Sequence, residues 1–182
     1  MKKILLKYLF FYCIYKIKYN DVQNAPVPEV AEQFASSSKL ETALSLGYSF
    51  DGENYSNFNN LALLLRLTFD YSAYGEEVEE TGLVLTLSKE NAENFKVGDD
   101  VTYFEDENKD GEYVVKVEAG NDPASVLDLK FYVCGYVVVG GETYVSTVYE
   151  VSFRYMLNEY ASGDGEAAAV ASAALNSWGN AQ

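Results

Sequence analysis

The chain has 182 residues, 48% of them hydrophobic and 15% aromatic, enough to build one domain with a real core and to exclude global disorder. Its net charge of −15 is uneven: residues 1–20 carry Lys2, Lys3, Lys7, Lys16 and Lys18 and no acid, leaving 8 basic against 28 acidic side chains, a net −20, on the remainder. Such a surface repels phosphate, which disfavours nucleic acid as a partner and membrane contact by the domain itself; the lack of histidine excludes His-dependent triads and zinc-hydrolase sites.

Residues 1–20 open with Met1-Lys2-Lys3 and a short apolar run, as a secretory signal does. Lys7 interrupts that run, Lys16 and Lys18 follow it closely, and only Gln23-Asn24-Ala25 stands before Pro26 where a cleavage site belongs. Two readings stay open: a signal or membrane-proximal anchor, or an upstream extension with the domain edge near Asp21. The uncharged apolar run from Tyr8 to Tyr15 is too short to span a bilayer, which takes about 20 residues. Residues 21–38, with Pro26 and Pro28 in a PVPEV stretch, read as a linker.

A β-rich domain is predicted over residues 39–160. In KLETALSLGYSF, Leu40, Thr42, Leu44, Leu46, Tyr48 and Phe50 alternate with small and polar residues, the period of a strand. Asp51-Gly52 and Asn57 to Asn60 bracket a loop. LALLLRLTFD puts Leu61, Leu63, Leu65, Leu67 and Phe69 on one face of a central strand. An acidic cluster, Glu76 to Glu80, leads into the strand TGLVLTLS. Val101 to Phe104 and Tyr113 to Val117 flank an acidic turn and predict a hairpin.

The strongest local pattern is Leu127 to Glu150. Apolar residues alternate up to Val139, break at Gly140-Gly141 and resume, which predicts a hairpin closed by a two-residue turn with positive φ. The period then changes. Phe153, Met156, Leu157 and Tyr160 lie at helical spacing over Val151 to Tyr160, and Glu166 to Trp178 predicts a second helix within a Gly/Ala-rich tail, residues 161–182. The expected fold class is mainly β: a β-sandwich or rolled antiparallel sheet with one or two C-terminal helices.

Three constellations could carry function. Asp106-Glu107-Asn108-Lys109-Asp110-Gly111 matches the opening of an oxygen-ligand calcium loop, so Asp106, Asn108, Asp110 and Glu112 are candidate Ca²⁺ ligands. Val117 stands where such a loop needs a bidentate glutamate, and the plainer reading is a solvated hairpin tip. Loop aromatics Tyr48, Tyr55, Phe58, Tyr71 and Tyr74 could stack on a sugar or a peptide, whereas as strand residues they would pack the sandwich. Paired carboxylates leave a glycosidase-like alternative, weakened because they sit in solvent-facing turns, not in the apolar setting that raises a catalytic acid's pKa. Cys13 and Cys134 show no metal or redox spacing, and Arg66 among leucines calls for a carboxylate partner.

The order KLETALSLGYSF, LALLLRLTF, ETGLVLTLS and LKFYVCGYVVVGGETYVSTVYEVSFRYMLNEY resembles a β-rich module of secreted and cell-surface proteins from gut Firmicutes and related low-GC Gram-positive bacteria. Arg66, Gly82, Tyr136, Tyr144 and Ser152 fall where that module's motifs would put them, over about residues 37–160. The resemblance implies an extracellular accessory module, not an enzyme. The expectation is a non-catalytic structural or adhesion module, secreted or on the cell surface, whose partner is a glycan or a host or cell-surface protein. A calcium-stabilised glycan-binding module is the alternative.

Overall fold

The computed structural model describes residues 27–105 and 111–179. Helix α1 (Val27–Ser37) leads into strands β1 (Lys39–Phe50) and β2 (Tyr55–Thr68), then a 3-10 turn (Ser72–Glu77) and β3 (Val78–Thr86). Helix α2 (Lys89–Glu93), β4 (Thr102–Glu105), β5 (Glu112–Glu118) and a 3-10 turn (Pro123–Val126) follow. Strands β6 (Phe131–Val139), β7 (Glu142–Val145) and β8 (Tyr149–Val151) and helices α3 (Phe153–Ala161) and α4 (Gly165–Gly179) complete the chain.

The strands make two antiparallel sheets, one ordered β1-β2-β5 and the other β4-β3-β6-β7, with β8 also paired to β6. Period-two spacing sends Leu61, Leu63, Leu65 and Leu67 of β2, Val115 and Val117 of β5, Leu83 and Leu85 of β3, and Phe131, Val133 and Val137 of β6 into one buried cluster. This is the mainly β, sandwich-like fold that the alternation predicts. Strand β6 is buried on both faces, because Cys134, Tyr136 and Val138 join Val84, Ala92 and Phe95 in a second, smaller core. The predicted hairpin forms between β6 and β7, with Val139 opposite Glu142 and positive φ at Gly140 (59°) and Gly141 (76°).

Four expectations are corrected. Strands β4 and β5 are not a hairpin: β4 pairs with β3 and β5 with β2, so the two strands belong to different sheets. The stretch read as a linker contains α1, with Phe34 fully buried against Phe69 and Tyr74. Pro28 at its second position is compatible, since the first helical turn needs no N–H there. Asn57 to Asn60 lie within β2, where Asn57 and Asn60 take positive φ (52° and 51°) at two register shifts against β1. The turn chemistry read there is real but acts as bulges. The acidic cluster does not wholly precede its strand, as Glu79 and Glu80 belong to β3.

Strand β5 pairs with β2 only from Ala62 onward, so the first half of β2 and the second half of β1 run beyond it as a two-stranded hairpin. Helices α3 and α4 pack on each other and against this hairpin. Ser152 caps α3, its Oγ accepting from the Tyr155 N–H at 3.1 Å. Among the described residues, no helix is long and apolar enough to cross a membrane.

Candidate functional site

The hairpin that overruns the sandwich carries aromatic rings toward the helices. Phe50 and Tyr55 are register partners, and their rings stack at 4.7 Å with 29° between planes. Tyr48 meets Tyr55 edge-on at 5.4 Å. The turn at the tip is held by Asp51, whose Oδ1 accepts from the backbone N–H groups of Glu53 (2.9 Å) and Asn54 (2.7 Å). Those two bonds keep the Asp51 carboxyl below its usual range and fix the geometry from which the rings project.

Beside the rings a cleft of about 260 Å³ opens between β1 and the two C-terminal helices. Leu44, Leu46 and Tyr48 form one wall; Tyr160, Glu166, Ala167, Val170 and Ala171 form the other. The alanines of α4 leave the gap, because a helix face of methyl groups cannot fill the space below Leu44 and Leu46. Tyr48 Oη donates to Glu166 Oε1 at 2.8 Å, and that bond raises the Tyr48 phenol's pKa. Six large apolar side chains are exposed among the described residues; two of them, Tyr48 (41%) and Tyr160 (36%), line the cleft, and a third, Phe50 (54%), stacks on Tyr55 beside Tyr48. An apolar platform beside a small cleft with one carboxylate can bind a ligand with a flat C–H face and a hydrogen-bond donor.

The aromatics named from sequence divide. Tyr48 and Tyr55 share the platform, whereas Phe58 turns inward and packs on Trp178 at 5.7 Å. Tyr71 and Tyr74 lie past the opposite end of β2, about 40 Å away along the strand at ~3.3 Å per residue. Tyr74 is buried between Phe34 and Tyr144, its hydroxyl has no hydrogen-bond partner among the described residues, and burial pushes its pKa up to about 12. Phe50, Tyr160 and Glu166 complete the platform and are not among the site residues predicted from sequence. For Phe50 the signal was present in its place directly before the Asp51-Gly52 turn; Tyr160 reads as the last residue of a helix's apolar stripe and gives no such sign.

Of the calcium candidates, Asp106, Asn108 and Asp110 lie outside the described residues. Glu112 flanks Arg66, its Oε1 accepting from the guanidinium at 3.0 Å, while Glu41 Oε2 accepts on the other side at 3.3 Å. Among the described residues, no group of three or more acidic or cysteine side chains is placed to hold a metal. Residues 1–20 and Cys13 also lie outside the described residues. Cys134 is a free thiol in the smaller core, and burial raises its pKa to about 12.

The positions that carry the resemblance have structural work. Gly82 faces Tyr136 across β3 and β6, and a Cβ there would come within 2.4 Å of the tyrosine ring and 2.2 Å of the Phe104 carbonyl oxygen. Tyr136 Oη donates to Glu80 Oε1 at 2.5 Å; burial first, and this carboxylate second, push its pKa well up. Tyr144 packs on Tyr74, Ser152 caps α3 and Arg66 is ion-paired. No family model, curated protein or solved structure matches the chain.

Proposed function

We propose that the chain is a non-catalytic binding module of a secreted or cell-surface protein, and that it engages a glycan through Tyr48, Phe50, Tyr55 and Tyr160. The observation that carries this reading is that two of the six exposed large apolar side chains among the described residues, Tyr48 and Tyr160, line one cleft, and that Tyr48 joins it through Tyr55 to a third, Phe50. Scattered exposed apolar residues are normal on any protein, whereas a contiguous group beside a cavity marks a binding surface. The rings are held before any ligand arrives, by stacking, by the Asp51 turn and by the Tyr48 to Glu166 bond, so little ordering cost falls on association.

A reaction has less support. The sequence has no histidine, and the cleft holds one carboxylate where a glycosidase needs two. Extracellular placement rests on the resemblance of the strand order and motifs to secreted and cell-surface modules. The test is a glycan array run beside immobilised matrix proteins with the full chain and its Phe50→Ala variant. Saturable glycan binding lost in the variant, with an unchanged melting curve, supports the reading; binding only to proteins, or binding that survives Phe50→Ala, refutes it.

A further inference from the structure

The elements that build the aromatic platform keep their cations away from it: Lys39 and Arg66 lie at the β5 end of the hairpin, and Arg154, at the start of α3, is paired with Asp128. Residues 40–65 and 155–179 contain Glu41, Asp51, Glu53, Glu159, Asp164 and Glu166 and no lysine or arginine. Glu41 is bound to Lys39 and Arg66 in the part of the hairpin that β5 flanks, which leaves five acids in the stretches around the platform. Within the cleft the one charged side chain is Glu166. A carboxylate can accept about four hydrogen bonds, and Tyr48 supplies one of Glu166's.

Any ligand seated there meets ring faces, which are themselves negative at their centres, and the Glu166 carboxylate, with no cation lining the cleft. A uronate or sialate would bring its own carboxylate next to Glu166 and lose water without gaining a partner, which opposes binding. A protonated amine meets the reverse situation. The volume of about 260 Å³ lies just below the ~300–1,000 Å³ typical of ligand sites, a size that suits a single sugar ring.

We propose that this site selects amine-bearing saccharides of the glucosamine type over N-acetylated and acidic ones, with the sugar's C–H face on Phe50 and Tyr55 and its ammonium directed to Glu166. The selection rests on the reading of the platform as a glycan-binding face, and it adds to that reading the charge class of the ligand.

The experiment is calorimetric titration of the full chain at pH 6 with oligomers of glucosamine, N-acetylglucosamine and galacturonate, each at low and at high salt. Glucosamine oligomers are expected to bind about five- to tenfold tighter than N-acetylated ones at low ionic strength, the range for one or two exposed ion pairs. At about 0.5 M salt, where charges are screened within a few ångströms, that preference falls below about twofold. Galacturonate gives no heat. Phe50→Ala removes binding of both neutral and basic oligomers, while Glu166→Gln, which keeps an acceptor for Tyr48, removes only the preference.

Equal affinity for the acetylated and free amine forms, tighter binding of galacturonate, or no binding of any of the three overturns the charge selection. The glycan reading then stands or falls on the array. Binding of oligolysine more tightly than any saccharide overturns both, because the ligand would then be a basic protein segment.

Discussion

Replacing Phe34 by alanine tests whether α1 belongs to the folded unit. The ring is 0% exposed and meets Phe69 edge-on at 5.4 Å and Tyr74 at 6.0 Å. An 11-residue helix is marginal alone in water, so α1 depends on what it packs against. Its C-terminal end is tied down by the Asp70 N–H donating to Ser37 Oγ at 2.9 Å, Thr147 Oγ1 to the Ala35 carbonyl at 2.8 Å, and Tyr149 Oη to the Ser38 carbonyl at 2.6 Å. Removing a fully buried phenyl group costs about 3–5 kcal/mol in transfer and cavity terms, a large part of a typical total of ~5–15 kcal/mol. For a chain of this size the melting temperature should fall by about 10 °C. Urea unfolding followed by circular dichroism is the assay, with exposed Ser36→Ala as a control that should stay within about 0.5 kcal/mol. A midpoint shift worth less than about 1 kcal/mol for Phe34→Ala would refute the claim that this helix is integral and restore the linker.

Three further outcomes follow from the packing and the ion pairs. Gly82→Ala should destabilise by about 1–3 kcal/mol in the same urea assay, since the new methyl group meets both the Tyr136 ring and a backbone oxygen that cannot rotate away. Asp128 is held below its usual pKa first by its hydrogen bond to Arg154, so its folded value lies under the unfolded one of about 3.9. The stability it contributes is present above about pH 4 and lost as pH falls through the folded pKa. Asp128→Asn should therefore melt slightly earlier than wild type at pH 7, by less than about 1 kcal/mol because the pair is exposed, and the gap should close as pH falls through that lowered pKa. In a Cys13→Ser background, Cys134 should resist a thiol-specific disulfide reagent at pH 8 until denaturant is added, because burial keeps the thiol protonated. Prompt labelling of the folded protein would contradict its burial.

Much of the architecture was legible because it rests on local periodicity. The alternation in β1, β2 and β6, the Gly140-Gly141 turn and the change to helical spacing at Phe153 each depend on neighbours a few residues apart, and each element is present, although β6 starts at Phe131 and not Leu127, β2 starts earlier at Tyr55, and the return strand breaks after Val145 before β8. Pairing of β4 and β5 was not legible: alternation identifies a strand but carries no information about which sheet takes it. Helix α1 escaped notice because Phe34 is a lone large apolar residue in AEQFASS, too little to form a stripe, and its burial depends on Phe69 and Tyr74 far along the chain. The turn chemistry of the Asn-rich stretch serves equally well to make bulges in a continuous strand.

The site was legible in kind but not in place. Aromatic residues near turns suggested a platform, yet Tyr48 and Tyr74 look alike in sequence, and only the fold sends one to the surface and the other under α1. The cleft itself depends on alanines of α4 lying opposite Leu44 and Leu46, a contact between elements separated by more than 100 residues.

The proposed binding rests on the rings at the end of the long hairpin. The most direct check is to titrate whichever oligosaccharide the array selects while following the aromatic side-chain resonances by NMR. Shifts confined to Tyr48, Phe50, Tyr55 and Tyr160 are predicted. Shifts centred instead on Tyr71, Tyr74 and Tyr144, with the hairpin rings unmoved, would contradict it.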